Sequence, residues 1–400
     1  MKNKYPDRIS TTPIKITDSA GVPLPGIDVT VSQLTSSLKF GCAGFETIQT
    51  VNGLLQGDEN TSAIKRVEKM LEIFNFITLP FYWGRFESVR GKPMTRETLN
   101  AAKWLCERGV LVKGHPLCWH TVCADWLLEF DDLEILKLQL ERINREVTDF
   151  KGYIDTWDVV NEVVIMPDFD RYDNAVTRIC KREGRVALVK KLFDEARAAN
   201  PKATLLINDF DMSEDYSDLV TKLLDAGVCI DAIGLQSHMH QGVWSLEKTE
   251  EILERFSKFG LPLHFTEINL VSGDLMPKHI VDLNDWIPDN WPSTPEGEER
   301  QAQQLVTFYE TLFNYPLVEA FTYWSFTDGG WLNAPCGLVT KDARQKPAYD
   351  ALYNLIHKKW RTPEQILKTD ENGVIEVTGF FGTYLAKFPG GSVEFEISKK

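Results

Sequence analysis

Short apolar runs alternate with helical patterns along most of this chain, from about residue 38 to residue 360. Eight of the runs predict β-strands, because they are short and rich in β-branched and aromatic residues. Most are apolar at successive positions, which is typical of strands covered on both faces. The predicted strands span residues 38–44, 74–80, 110–115, 154–162, 203–209, 231–238, 262–267 and 319–328.

Helical patterns fill the intervals between the strands, and the clearest covers residues 132–149. Apolar residues recur there at steps of three and four, which predicts a single apolar stripe. The stripe consists of Leu133, Leu136, Leu140, Ile143 and Val147. Another helix is expected to begin at Thr294-Pro295, since a Thr cap followed by Pro suits a first helical turn.

Polar side chains stand at the carboxyl end of nearly every predicted strand, namely His115, Glu162, Asp209, His238, Glu267 and Asp328. Alternating strands and helices form either a parallel barrel or a doubly wound sheet. A barrel gathers its strand ends into one active-site face, whereas an open sheet concentrates them at one switch point. No Gly-rich phosphate motif follows the first strand. The sequence therefore predicts an α/β fold of the (β/α)₈ TIM barrel type.

The two flanks differ from the centre of the chain. Residues 11–37 and 368–400 are rich in β-branched residues and contain turn signals, which predicts short antiparallel strands. We expect an N-terminal β extension over 1–37 and a catalytic barrel over 38–360. A C-terminal β extension over 361–400 is expected to pack with the N-terminal one into a small β-module.

The composition of the chain argues against several classes of binding partner. The net charge of −14 argues against nucleic acid and anionic membrane surfaces. The chain has no apolar run of 18 residues, and its seven cysteines follow no disulfide framework. No apolar stretch follows the basic N-terminal residues, so a cytoplasmic location is expected. A secreted protein whose leader is missing from the sequence would begin in the same way.

Two of the strand-end residues are glutamates, Glu162 on the fourth strand and Glu267 on the seventh. Opposed strands of a barrel bring such ends together across its mouth. Glycoside hydrolysis uses two carboxyl groups on either side of the scissile bond. Either glutamate alone could equally well form a salt bridge. The pair, in the company of aromatic and His residues, favours catalysis.

Six motifs in order resemble glycoside hydrolase family 10, the family of retaining endo-β-1,4-xylanases. They cover about residues 38–358 and include "WDVVNE" (157–162), which is similar to the acid/base signature, and "LHFTEINL" (263–270), which is similar to the nucleophile strand. The others are "GHPLCWH", "LLINDFD", "IDAIGLQSHMH" and "YWSFTDGGW…GLVTKDARQKPAYDAL". The resemblance implies a retaining β-glycoside hydrolase acting on xylan or xylo-oligosaccharides.

The resemblance also implies roles for single residues. Glu162 is the general acid and base, and Glu267 is the nucleophile. His120 is expected to lie behind the sugar site rather than in it. No metal or cofactor is implied, and the partner is a β-linked carbohydrate. The implied substrate-binding residues are Arg85, His115, Trp119, Asn161, Gln236, His238, Trp324 and Trp331.

The second strand departs from the family pattern. Relatives carry Glu-Asn-x-x-Lys-Trp there, whereas this chain has Phe81, Tyr82, Arg85 and Phe86 at the corresponding positions. Loss of hydrogen-bonding groups changes sugar selectivity strongly, and Arg is no equivalent of Lys. Tyr82 and Trp83 could narrow the glycone side and favour short or aglycone-bearing β-glycosides. Compensation by another loop would leave an ordinary xylanase.

Two other classes stay open. A metal-dependent barrel hydrolase could use the residues of "HMH" (238–240) or His115, Cys118 and His120, which are plausible metal ligands. A non-catalytic carbohydrate-binding barrel would keep the scaffold without turnover. The presence of both glutamates argues against this second class.

Overall fold

The computed structural model describes residues 5–399. The first four residues of the predicted N-terminal extension and the last residue of the C-terminal one lie outside the described residues. The described chain forms three sheets: a closed barrel of eight parallel strands, a four-stranded sheet and a two-stranded sheet. Its strands are β1 (Ile9–Lys15), β2 (Asp28–Gln33), β3 (Lys39–Ala43), β4 (Phe76–Pro80), β5 (Leu111–His115), β6 (Thr156–Asn161), β7 (Thr204–Asp209), β8 (Ala232–Met239), β9 (Leu263–Leu270), β10 (Val318–Tyr323), β11 (Gln365–Lys368), β12 (Val374–Phe380), β13 (Gly382–Phe388) and β14 (Gly391–Ile397).

The barrel contains β3 to β10, each strand pairing in parallel with its predecessor, and β10 closes onto β3. All eight strands predicted from the sequence are present, so the (β/α)₈ prediction is confirmed. Its strands are almost fully buried, because side chains fill the interior and helices cover the outside. The helices are α1 (Glu46–Val51), α2 (Gly57–Ile73), α3 (Trp83–Phe86), α4 (Thr95–Cys106), α5 (Asp132–Asp149), α6 (Ala175–Glu183), α7 (Arg185–Ala199), α8 (Glu214–Asp225), α9 (Leu246–Ser257), α10 (Pro295–Phe313) and α11 (Pro347–Asn354).

The two helices singled out in the sequence form where they were predicted. Helix α5 covers residues 132–149, and the carboxylate of Asp131 caps it by accepting hydrogen bonds from two backbone amides. Helix α10 begins at Pro295, and the hydroxyl of Thr294 accepts a hydrogen bond from the amide of Gly297 at 3.0 Å. Local capping chemistry therefore sets both starting points.

The predicted apolar stripe of α5 is partly wrong. Leu133 is 61% exposed, whereas the buried face includes Gln139 and Arg142. Gln139 donates a hydrogen bond to the backbone oxygen of Leu117 at 3.1 Å, and Arg142 donates to those of Leu117 and Phe81. These carbonyls follow barrel strands and need donors. The helix therefore turns a partly polar face inward.

The terminal extensions pair with each other, as the fold prediction stated. Strand β1 is antiparallel to β12, and β2 lies between β11 and β13, with β14 at the edge. The module has its own apolar core. Arg8 fastens it to the barrel by donating to the backbone oxygens of Phe313 and Val318, at 3.0 and 2.8 Å. Val318 begins β10, so the module contacts the amino-terminal end of the barrel, away from the predicted site.

Across residues 5–399, the helices are all too short or too polar to span a lipid bilayer.

Candidate active site

A cleft of about 1290 Å³ lies at the carboxyl ends of the barrel strands. Both glutamates line it, together with His115, His238 and Asp328 from the predicted set of strand-end residues. Asp209 is the exception, since its carboxylate is buried and accepts hydrogen bonds from the amides of the loop residues Val164 and Asp211, each at 3.0 Å. Its role is to shape the backbone behind the cleft.

Glu162 and Glu267 share an unusual backbone conformation. Their φ angles are +57° and +62°, in the left-handed region that is costly for residues with a side chain. Glu162 directly follows β6. Glu267 lies on a bulge within β9, where Glu267 and Ile268 together oppose Ser237 of β8. A bulge re-aims the side chain it carries, and here it accompanies a carboxylate that lines the cleft.

Neutral donors surround the carboxyl group of Glu162. Trp119 donates its indole N–H to Oε2 at 2.7 Å, while Asn161 and Gln236 each donate an amide to Oε1 at 3.2 Å. Burial raises the pKa of Glu162, and the negative charges of Asp209 and Glu267 add to it; these effects outweigh the hydrogen bonds, so that the pKa is about 8. Glu162 is therefore protonated at neutral pH.

His120 lies 3.9 Å from Oε2 of Glu162, measured from its Nε2 atom, and also lines the cleft. Burial lowers the pKa of His120 to about 4. The ring is therefore neutral near pH 7 and brings no positive charge to Glu162. A cation at this point would favour the carboxylate and work against a proton donor.

Glu267 has a different setting. His238 Nε2 is 3.0 Å from its Oε2, and the amide of Asn208 donates to Oε1 at 2.9 Å. Burial alone would raise the pKa of Glu267, but the hydrogen bond with His238 and the charges of His115 and His238 lower it below the usual value. Glu267 is therefore charged at neutral pH, so one cleft holds a protonated and an ionised carboxyl group.

Asn208 joins the two glutamate sites and was not among the predicted site residues. Its amide nitrogen donates to Asn161 Oδ1 at 2.8 Å as well as to Glu267, and its oxygen accepts from the hydroxyl of Thr266 at 2.6 Å. A Cβ at Gly234 would lie 2.4 Å from that oxygen, so this position needs glycine. In the sequence, Asn208 could have been recognised by its position beside Asp209, at the end of the fifth barrel strand.

A buried charge network orients His115. Its Nδ1 is 2.7 Å from Asp158 Oδ2, which also pairs with Lys113 Nζ at 2.7 Å. Burial would raise the pKa of Asp158, but the Lys113 charge and the His115 contacts lower it, so the carboxylate stays ionised. The His115 ring is thereby held edge-on to Trp324, with ring centroids 5.1 Å apart. Lys113 and Asp158 were not predicted as site residues.

The remaining predicted binding residues also line the cleft. Trp331 packs on the ring of His238 at 4.5 Å, and Trp324 lies edge-on to Phe45 at 5.5 Å. Phe45 was not among the predicted site residues. Together with Trp119 these rings provide aromatic faces next to hydrogen-bonding groups, as in sugar sites.

The segment after β4, which departs from the family pattern, has some side chains in the cleft and others in the core. Tyr82 lies in the cleft, 5.6 Å from the His115 ring, and Arg85 lies beside it at 5.8 Å. Phe81 instead packs into the barrel wall against Trp157 and other rings. The expectation that Trp83 narrows the glycone side is wrong. Its indole N–H points to Glu87 Oε2 at 3.3 Å, away from the cleft, because α3 begins here and rotates successive side chains.

The groups proposed as metal ligands do not form a metal site. His238 contacts Glu267, whereas His240 packs between Trp291 and Trp331. Burial lowers the pKa of His240 to about 3. Over residues 5–399, no three His, Cys, Asp or Glu side chains converge as ligands would.

The model of the family described as Glycosyl hydrolase family 10 matches residues 48–355. The chain is 30% identical over 270 residues to "Beta-1,4-xylanase" of Dictyoglomus thermophilum, covering 64% of this chain and 72% of the relative. It is 24% identical over 323 residues to "Endo-1,4-beta-xylanase B" of Thermotoga neapolitana, covering 75% and 87%.

Solved structures share the fold. Xylanase 10B from Thermotoga petrophila, solved in complex with xylobiose, aligns with a TM-score of 0.65 and 22% identity, over 81% of this chain and 95% of that one. The structure described as GH10 from Paenibacillus barcinonensis gives 0.64 and 24%, over 80% and 95%.

Proposed function

Because the chain belongs to glycosyl hydrolase family 10, we propose that it hydrolyses β-1,4-xylosidic bonds in xylan or xylo-oligosaccharides with retention of configuration. The observation that carries the proposal is the opposite shift of two carboxyl groups in one cleft. The pKa of Glu162 is raised to about 8 and that of Glu267 is lowered. A retaining glycosidase needs one protonated and one ionised carboxyl group at the start of its cycle.

In the first step the Glu162 proton moves to the glycosidic oxygen while the bond between that oxygen and the anomeric carbon breaks. The Glu267 carboxylate attacks the same carbon and forms a glycosyl ester. Asn208 and His238 hold the Glu267 oxygens at 2.9 and 3.0 Å, which fixes the direction of attack.

In the second step Glu162, now ionised, takes a proton from water as the water oxygen attacks the anomeric carbon. The ester bond breaks and Glu267 regains its charge. The loss of negative charge on Glu267 while it is esterified lowers the pKa of Glu162, since that charge is one of the groups that raise it. The same residue can therefore act as acid and then as base.

Sugar binding is assigned to the remaining cleft residues. Asn161 and Gln236 present amides beside Glu162, where they can bond a hydroxyl next to the anomeric carbon. Trp324 and Trp331 supply faces for a pyranose ring. Arg85 is charged and exposed at the Tyr82 end of the cleft and can bond sugar oxygens there.

A second candidate is the same mechanism on short or aglycone-bearing β-glycosides. It is favoured by Tyr82, an aromatic ring in the cleft at the position where relatives carry an Asn. A non-catalytic carbohydrate-binding barrel is disfavoured, because the division of pKa values between Glu162 and Glu267 serves turnover rather than binding.

The test is product analysis with purified protein on xylan, xylo-oligosaccharides, cello-oligosaccharides and aryl β-xylosides. We expect xylo-configured substrates to be cleaved. Proton NMR during the reaction should show that the product is first formed as the β-anomer. A first product with the α configuration would refute the retaining mechanism. Binding without hydrolysis of any substrate would establish the non-catalytic alternative.

A further inference from the structure

The loops that follow β6, β7 and β9 line one end of the cleft. Glu162 directly precedes the first of these loops, and its proton goes to the leaving group. The leaving group therefore faces the loop 163–174. In the barrel order, β7 and β8 lie opposite β3 and β4, whose ends carry Phe45 and Tyr82. The two ends of the cleft are thus distinct.

A charged bridge crosses this end. Arg171, in the loop after β6, donates to Asp285 Oδ1 at 2.9 Å and pairs with Asp282 Oδ2 at 2.8 Å. Both acids belong to the loop after β9. Strands β6 and β9 are not neighbours, since β7 and β8 separate them. Arg171 and Asp282 both line the cleft, so the bridge lies on the wall that the leaving group faces.

The walls beside the bridge expose apolar side chains. Ile165, Tyr172, Phe210 and Val281 line the cleft and are exposed to solvent, with Val281 at 98%. Exposed apolar side chains that cluster at a cleft mark a binding surface.

Some charged groups on the same walls pair with one another. Besides the Arg171 bridge, Asp168 pairs with Arg185 at 2.6 Å. The walls therefore combine ion pairs with exposed apolar side chains, and an apolar group gains contact with the apolar ones.

We propose that the leaving-group end is a short subsite for one apolar leaving group, such as an arylalkyl or aryl aglycone, and that the Arg171 bridge bounds it. The inference rests on the proposed hydrolase function and specifies its leaving group. Long xylan chains can be accepted only when the bridge opens. Exposed ion pairs are weak, so opening is possible but lowers the rate.

The experiment compares substrates with one glycone and different leaving groups. 2-Phenylethyl β-xylobioside and xylotriose both present xylobiose as glycone and an alcohol of low reactivity as leaving group. Wild-type kcat/KM is expected to be about tenfold higher for the phenylethyl glycoside, the size of effect that apolar burial of a few carbons gives. For xylohexaose cleaved with xylobiose as the glycone, kcat/KM is expected to be lower still than for xylotriose.

Variants test the bridge itself. Arg171→Met should raise the kcat/KM of xylohexaose relative to phenylethyl xylobioside by about three- to tenfold, the range expected for two exposed ion pairs. The double variant Asp282→Asn/Asp285→Asn should act in the same direction, while Arg171→Lys should restore most of the wild-type ratio. Phe210→Ala should lower the preference for the phenylethyl group.

Arg178→Met is the matched control. Arg178 pairs with Asp132 at 2.7 Å outside the cleft, so the ratio should not change. The inference is overturned if wild-type protein prefers xylohexaose, or if Arg171→Met folds normally by circular dichroism and leaves the ratio unchanged. Hydrolysis of none of these substrates by wild-type protein would refute the proposed function instead.

Discussion

Glu162, directly after β6, and Glu267, on the bulge within β9, share the same left-handed backbone conformation, yet their carboxyl groups behave in opposite ways. Burial acts on both and disfavours the charged form of each. The difference lies in the partners. Glu162 has neutral donors and nearby carboxylates, whereas Glu267 faces His238 and the charge of His115. Residue type and backbone geometry therefore do not assign acid and nucleophile; the surrounding charges do.

Removing the nucleophile gives the largest expected effect. Glu267→Ala should lower kcat/KM by at least about 10⁴-fold on every substrate, because no covalent intermediate can form. Initial rates on xylotriose and an activated aryl β-xylobioside measure it. Wild-type-like activity on either substrate, with unchanged circular dichroism, would remove Glu267 from its role.

Removing the acid should have an uneven effect. Glu162→Ala should lower kcat/KM about 10²- to 10⁴-fold on xylotriose, since its leaving alcohol needs a proton. The first step on a dinitrophenyl β-xylobioside should be nearly unchanged, because that leaving group departs as an anion. The pre-steady-state burst of dinitrophenol measures this step. An equally large loss on both substrates would contradict the assignment of Glu162.

The comparison also predicts the pH profile. Turnover needs Glu162 protonated, so kcat/KM should fall as pH rises through about 8. It also needs Glu267 ionised, so kcat/KM should fall only when pH drops below the ordinary range of a carboxyl group. The expected profile is a broad bell, with about a tenfold loss for each pH unit beyond either limb. An alkaline limb near pH 5 would contradict the raised pKa of Glu162.

Two substitutions with smaller effects should each shift one limb of the pH profile of kcat/KM. His238→Ala removes a contact that favours the ionised form of Glu267, so its pKa should rise and the acidic limb should move to higher pH. Trp119→Phe removes a hydrogen bond to the Glu162 carboxylate, so the pKa of Glu162 should rise and the alkaline limb should move up instead. Full pH profiles of kcat/KM on one aryl glycoside distinguish the two. Equal movement of both limbs in either variant would argue against separate environments.

A second contrast concerns the segment after β4. Tyr82 and Trp83 are adjacent aromatic residues, and the sequence offered both as cleft residues. Tyr82 lies in the cleft between other rings, whereas Trp83 points to Glu87 and Trp126. The chain enters α3 between them, since Tyr82 is the cap residue and Trp83 is the first helical residue. No local pattern in the sequence indicates where that helix begins.

Local patterns in the sequence were enough to predict the eight barrel strands, the range of α5, the cap of α10, and the strand segments that carry Glu162 and Glu267. These features follow from short-range patterns, because strand and helix periodicity and capping act over a few residues.

Four features arise only in the folded chain: which carboxyl group keeps its proton, which face of α5 is buried, how Asn208 joins the two glutamates, and that Arg171 reaches Asp282. Each of these depends on residues far apart in the chain that barrel closure brings within about 3 Å. Burial, charge and hydrogen bonding act over such distances in space, and the order of residues along the chain does not encode them directly.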